Sequence, residues 1–217
     1  MKLLILILAM NDPSVIYTMK NGIEKTWNSI NISNVQTYYY FGGHREQSHQ
    51  DGIIKLVTDE SLMSVGPRTF ECYDYCIKNF EFDYIFRTNI SSYVHKQNLY
   101  NFLLDKPRSN FYSAVKKFDR GVHYADGCGY TISKDIAQYL VQNKEHIDLS
   151  YIDDAATGKM LSHVDIFPAP RVDLLCDYTS SDYDKSNFHY RCKCSGDRRV
   201  DSVVMESIHR NYYGMNK

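Results

Sequence analysis

The chain has 217 residues, of which 43% are hydrophobic and 24% charged, with a formal net charge of −1. This is ordinary globular usage, and Lys and Arg are scattered with no basic stripe, which argues against a nucleic-acid polymer as partner. Six cysteines, with Cys72 and Cys76 at helical spacing and Cys192 and Cys194 one residue apart, do not read as a secreted disulfide framework.

Residues 3–9 are continuously apolar and predict a buried strand, stopped by the turn-forming Asn11-Asp12-Pro13. That run, about eight residues, is too short to span a bilayer, so no membrane span is expected. Val15, Ile16, Met19, Ile23 and Trp27 recur at helical spacing, predicting a helix over 14–30 with Ser14 as its cap. Strands follow at Val35–Phe41 and Ile53–Val57. A helix starts near Pro67, with Phe70, Tyr73, Cys76, Ile77 and Phe80 on one side. Further on come a strand over Phe82–Arg87, a helix over Gln97–Leu104 and a strand over Asn110–Val115. Helices are then predicted from the Ser133 cap to Gln142, over Asp153–Leu161 and over Arg199–His209. Residues 177–198 are polar and irregular apart from Phe188–Cys192. Strands alternating with helices indicate an α/β sandwich around a mostly parallel sheet, in one domain over residues 1–217.

Several nucleotide motifs are missing. There is no phosphate-binding Walker loop, and Gly127-Cys128-Gly129 is a broken dinucleotide fingerprint that does not follow the first strand. A dehydrogenase is therefore a poor reading, and a sugar nucleotidyltransferase lacks its glycine-rich basic loop after the first strand.

Five segments carry a resemblance. Ile23-Glu24-Lys25-Thr26-Trp27, Asp51-Gly52-Ile53-Ile54-Lys55-Leu56 with Asp59 and Ser61, the apolar strand from Phe82 to Val94, Gly127-Cys128-Gly129-Tyr130-Thr131-Ile132-Ser133, and Asp153-Asp154-Ala155-Ala156-Thr157-Gly158 resemble, in order, motifs of the β-1,3-galactosyltransferase and Fringe-type glycosyltransferases. The resemblance covers roughly residues 3–190. It implies a GT-A fold, a UDP-sugar donor, a glycan or glycoprotein acceptor, inversion at the sugar carbon and a divalent metal, Mn2+ or Mg2+. It also resembles the small enzymes of bacteria and large DNA viruses, which implies a cytoplasmic protein, in the host cytoplasm if viral.

An inverting transfer needs a base for the acceptor hydroxyl and positive charge on the departing diphosphate. By the resemblance Asp154 is the base, with helix capping by both acids as the structural alternative. The family's metal-binding aspartates correspond here to Asn89-Ile90-Ser91. Asn89 and Ser91 offer neutral oxygens but no charge for a hard cation. His189 is the positional candidate to complete a metal site with them. The alternative is a metal-free site in which Arg87, Arg191 or lysines neutralise phosphate. A site that binds without turnover is the third possibility. Asn11 and Asp12, at the end of the first strand, are candidate uridine or ribose contacts, or simply a turn. Asp182-Tyr183-Asp184 is a literal Asp-x-Asp in a polar loop, where solvation is the expected role.

Overall fold

The computed structural model describes residues 1–174, 184–194 and 197–214. Its main sheet has eight strands: β1 (Leu3–Leu8), β2 (Val35–Phe41), β3 (Ser48–Gln50), β4 (Ile53–Lys55), β5 (Tyr84–Asn89), β7 (Tyr112–Asp119), β8 (Val122–Ser133) and β9 (Ile166–Pro168). Their order is β3-β4-β2-β1-β5-β8-β7-β9, with β4, β2, β1 and β5 mutually parallel. A second sheet joins β10 (Val172–Asp173), β11 (His189–Arg191) and β6 (Ser92–Val94). The mostly parallel α/β architecture expected from the sequence is what the chain adopts.

Strand β1 shows why this works. Leu3, Ile5 and Ile7 face one half of the core, with Trp27, Val204 and Ile208, while Leu4 and Leu6 face the other, with Phe70, Tyr73 and Ile132. A strand covered on both faces must be apolar at every position, hence the unbroken run. One face is covered by α1 (Pro13–Thr18) and α6 (Arg199–Tyr213), the other by α2 (Val65–Asn79), α4 (Lys134–Gln142) and α5 (Asp153–Met160). Helix α3 (Lys96–Leu104) buries Leu99 and Leu103.

Four departures from the sequence reading are informative. The helix expected over 14–30 stops at Thr18 and continues as a wide π turn, Met19–Ile23, and a short turn at Trp27–Ser29. The indole Nε1 of Trp27 donates to the Ser92 carbonyl at 3.0 Å, fixing this segment against β6 rather than along a helix axis. The cap of α1 is Asp12, whose Oδ1 accepts from Ser14 N at 2.8 Å and Val15 N at 3.2 Å, not Ser14. Ser133 precedes α4 without capping it through its side chain, its hydroxyl instead bonding Asp135.

The fourth departure is β8, a twelve-residue strand that runs straight through the Gly-x-Gly segment. Glycine in a strand usually marks a close approach, and Gly129 does so: a Cβ there would collide with the His189 ring and approach Phe86.

Candidate active site

A cavity of about 490 Å³ opens at the carboxyl ends of β1 and β5, where open α/β sheets bind ligands. Leu8, Ala9 and Met10 form its floor. Asn89, Ile90 and Ser91 follow β5 into one wall, and Asp126, Gly127 and Cys128 of β8 face Asp153 and Asp154 of α5. Arg191, Lys193 and Arg198 line the remaining side.

The acid pair is fixed by one interaction with β5, one with β8 and one within α5 itself. Asp153 Oδ2 accepts from Arg87 NH2 at 3.0 Å. Arg87 is buried and fully engaged: its Nε donates to the Tyr40 hydroxyl at 3.1 Å, and its NH1 to the Gly127 carbonyl. Asp154 Oδ2 accepts from Gly127 N at 2.8 Å and Oδ1 from Ala155 N at 2.9 Å. Burial, followed by the neighbouring Asp153 charge, raises the Asp154 pKa. The two carboxylates thus differ: Asp153 is neutralised by a guanidinium, and Asp154 is a half-buried acid of raised basicity with lone pairs to spare. The N-cap position is Ile152, and both acids lie in the first turn, where the helix dipole also favours them.

The position of α5 is set by Gly158, the last residue of the acid-pair motif. A Cβ there would run into Tyr124 and the His123 carbonyl on β8. The helix therefore lies directly on the strand and delivers its first turn to the cavity.

Of the other residues singled out in the sequence, Arg87, Asn89, Ser91 and Arg191 line the cavity, whereas Asn11, Asp12 and His189 are off its wall. Asn11 is exposed and its N–H donates to Glu60 at 2.7 Å, and Asp12 caps α1. His189 is buried, with its Nε2 3.0 Å from the Ser92 hydroxyl and its ring edge-on to Phe86. Burial, helped by Arg171, lowers its pKa to about 3. Arg87 is not free for phosphate, because Asp153 holds it. Of the Asp-x-Asp pair, Asp182 lies outside the described residues, and Asp184 bonds Ser186 at the surface.

A divalent metal does not fit the donors present among the described residues. Asn89 Oδ1 accepts from Ser91 N at 3.0 Å. The Ser91 hydroxyl donates to Asp201 Oδ2 at 2.7 Å, and Asp201 is fully buried behind it, off the cavity wall. His189 is engaged elsewhere. Among the cavity's own acids, Asp126 is tied to Arg171 at 2.9 Å and Asp153 to Arg87. Although burial opposes it, the Arg171 guanidinium holds the Asp126 carboxyl down at about 2. No group of three His, Cys, Asp or Glu side chains suited to a metal ion occurs among the described residues.

Sequence reasoning missed Lys193, Arg198 and Asp201 as parts of this region. A basic residue flanking a short strand and an acid in the first turn of a helix are ordinary surface signals. Only the pairing of Cys192 N with the Ser91 carbonyl (2.7 Å) and of Cys194 N with Asp201 Oδ1 (2.8 Å) brings them to the β5 corner.

Comparison with known proteins bears on the fold and on the segment that holds the acid pair. Residues 104–171, which include β8 and the acid pair, match the family model described as galactosyltransferase. No curated protein matches the chain in sequence. Among solved structures, a glycosyltransferase involved in the glycosylation of the major capsid of PBCV-1 superposes with a TM-score of 0.57 at 13% identity, covering 95% of this chain and 100% of that one. No helix among the described residues is long and apolar enough to cross a membrane. With a galactosyltransferase segment holding its acid pair and a glycosyltransferase fold around it, the chain carries a glycosyltransferase domain.

Proposed function

We propose that this domain, as a single unit, transfers a sugar with inversion from a UDP-sugar to a hydroxyl of a glycan or glycoprotein acceptor, with Asp154 as general base. The observation that carries the reading is the division of labour at the start of α5. Arg87 neutralises Asp153, while Asp154 is left with raised basicity on the cavity wall, held by the Gly127 N–H. In the reaction the acceptor oxygen bonds to the sugar's anomeric carbon as its proton passes to Asp154. The bond from that carbon to the diphosphate oxygen breaks, and its electron pair leaves with the nucleoside diphosphate. A carboxylate whose pKa is raised by burial and a neighbouring acid takes that proton more readily.

The structurally similar enzyme is involved in the glycosylation of the major capsid of PBCV-1, and a viral surface glycan is the acceptor class proposed here. Cys72, Cys76, Cys128 and Cys192 are free, buried thiols, in keeping with work in a cytoplasm, that of the host if the chain is viral. The test is transfer from a panel of UDP-sugars to oligosaccharide acceptors, followed by the anomeric configuration of the product. Product with retained configuration overturns the base role of Asp154. Nucleotide binding with no transfer to any acceptor would instead favour a binding domain, the reading that the missing acids at 89–91 support.

A further inference from the structure

The donor's diphosphate has to be matched by positive charge, and the Asn89-Ser91 corner does not supply it through a metal. The cavity wall nonetheless carries five cationic side chains, Arg68, Arg87, Arg191, Lys193 and Arg198, against three acids, Asp126, Asp153 and Asp154. Arg87 is consumed by Asp153 and Arg68 is wholly buried. The three remaining cations come from the end of β11 and the segment leading into α6, not from the acid pair's helix.

Resting on the donor reading above, we infer that Arg191, Lys193 and Arg198 form a metal-independent diphosphate site in the place that the family gives to a cation. Their positions are set by backbone pairing, not by chance at the surface. Arg191 is on β11 opposite Ser92, and the chain continues with Cys192 N bonded to the Ser91 carbonyl. Arg198 NH1 lies 3.2 Å from the Ser91 hydroxyl and 3.8 Å from Asp201 Oδ2. The buried Asp201 therefore acts as a peg: it fixes Ser91 and Arg198 together at the mouth of the β5 corner. Arg191 is only loosely engaged, 3.9 Å from Asp173, and its buried Nε has no hydrogen-bond partner among the described residues. A buried donor left unpaired is uncommon, and a phosphate oxygen is its natural complement. Lys193 is exposed and takes no ion pair among the described residues. Two guanidinium groups and an ammonium provide charge comparable with that of a divalent ion, in the bidentate geometry phosphates favour.

Calorimetric titration with UDP, GDP and CDP, each with EDTA and with Mn2+, tests this, the matching nucleosides serving as controls. The expected result is a nucleoside diphosphate that binds equally well in both media. Lys193→Ala and Arg198→Gln should each weaken it by about tenfold or more, the loss of one charge-assisted contact, with nucleoside binding unchanged. Lys193 is exposed, so its variant keeps the fold even if Arg198→Gln does not. Binding that requires Mn2+, or Lys193→Ala and folded Arg198→Gln that bind diphosphate like the parent, overturns the inference while leaving the donor reading intact. No binding of any nucleoside diphosphate in either medium overturns the donor reading and this site with it.

Discussion

The Ser91 hydroxyl donates to Asp201 at 2.7 Å across 110 positions of sequence. A carboxylate is therefore present next to the corner where the resemblance leads one to expect aspartates, but it arrives from α6 and is turned into the core. Burial raises its pKa, and its contacts are to Ser91, Cys194 N and Arg198. It organises the corner from behind, and the cavity side is left to cations.

Replacing the proposed base separates chemistry from binding. Asp154→Asn retains an oxygen for the Gly127 N–H and should lower kcat by about 10²–10⁴-fold, with donor affinity little changed. Steady-state kinetics together with donor titration check this. A loss confined to KM would remove Asp154 from the base role.

The same variant carries a pH signature. A carboxyl whose folded pKa is raised stabilises the fold at low pH and loses that contribution as pH rises through the folded pKa. Asp154→Asn should therefore melt at a higher temperature than the parent at neutral pH. The advantage should vanish below about pH 4, where the unfolded carboxyl is also protonated. Melting curves across pH are the measurement. The acid limb of kcat/KM in the parent should also lie above the ordinary aspartate value.

Arg87 holds Asp153, Tyr40 and the Gly127 carbonyl at once. Arg87→Met leaves Asp153 uncompensated, at a cost of roughly 2–4 kcal/mol, less than for a fully buried pair because Asp153 is partly solvated. Arg87→Lys should recover little, since an ammonium cannot reproduce the planar fork. Denaturant unfolding reads the first effect, and transfer rate the second.

His189 belongs to the core. Its depressed pKa means that the neutral ring stabilises the fold above the unfolded value, near 6.5, and that this is lost as pH falls toward about 3. The contribution is on the order of a few kcal/mol. His189→Gln should flatten the acid side of the stability profile without changing the response of nucleotide binding to Mn2+. A changed metal response would return His189 to the metal-ligand role.

Gly158→Ala should destabilise the domain by about 1–3 kcal/mol, the usual range for forced overpacking. Truncating Tyr124 should rescue it only in part, because the His123 carbonyl and the Tyr124 Cα also meet the new methyl. A fully stable Gly158→Ala, seen by thermal melting, would mean that α5 is not held by that contact.

Much of this could be read along the chain. The apolar run of β1, the helical spacing in α2 and α6 and the acids opening α5 are local patterns, because burial on two faces, on one stripe or at a helix start each leaves a periodic trace. Of the three cavity acids, Asp153 and Asp154 were picked out by the resemblance of their segment to a family motif, whereas Asp126 was not. What the chain order could not decide was which partner each group takes. Arg87 reads as a free phosphate ligand until β5 is laid beside β8 and α5, and it then belongs to Asp153. His189 reads as a metal ligand until Gly129 and Phe86 close over it. Lys193, Arg198 and Asp201 carry no local signal at all, since their roles come from β11 and α6 meeting β6 and the end of β5. Periodicity reports how a residue faces its own element; charge pairing and burial depend on elements distant in sequence, and only the folded chain brings those together.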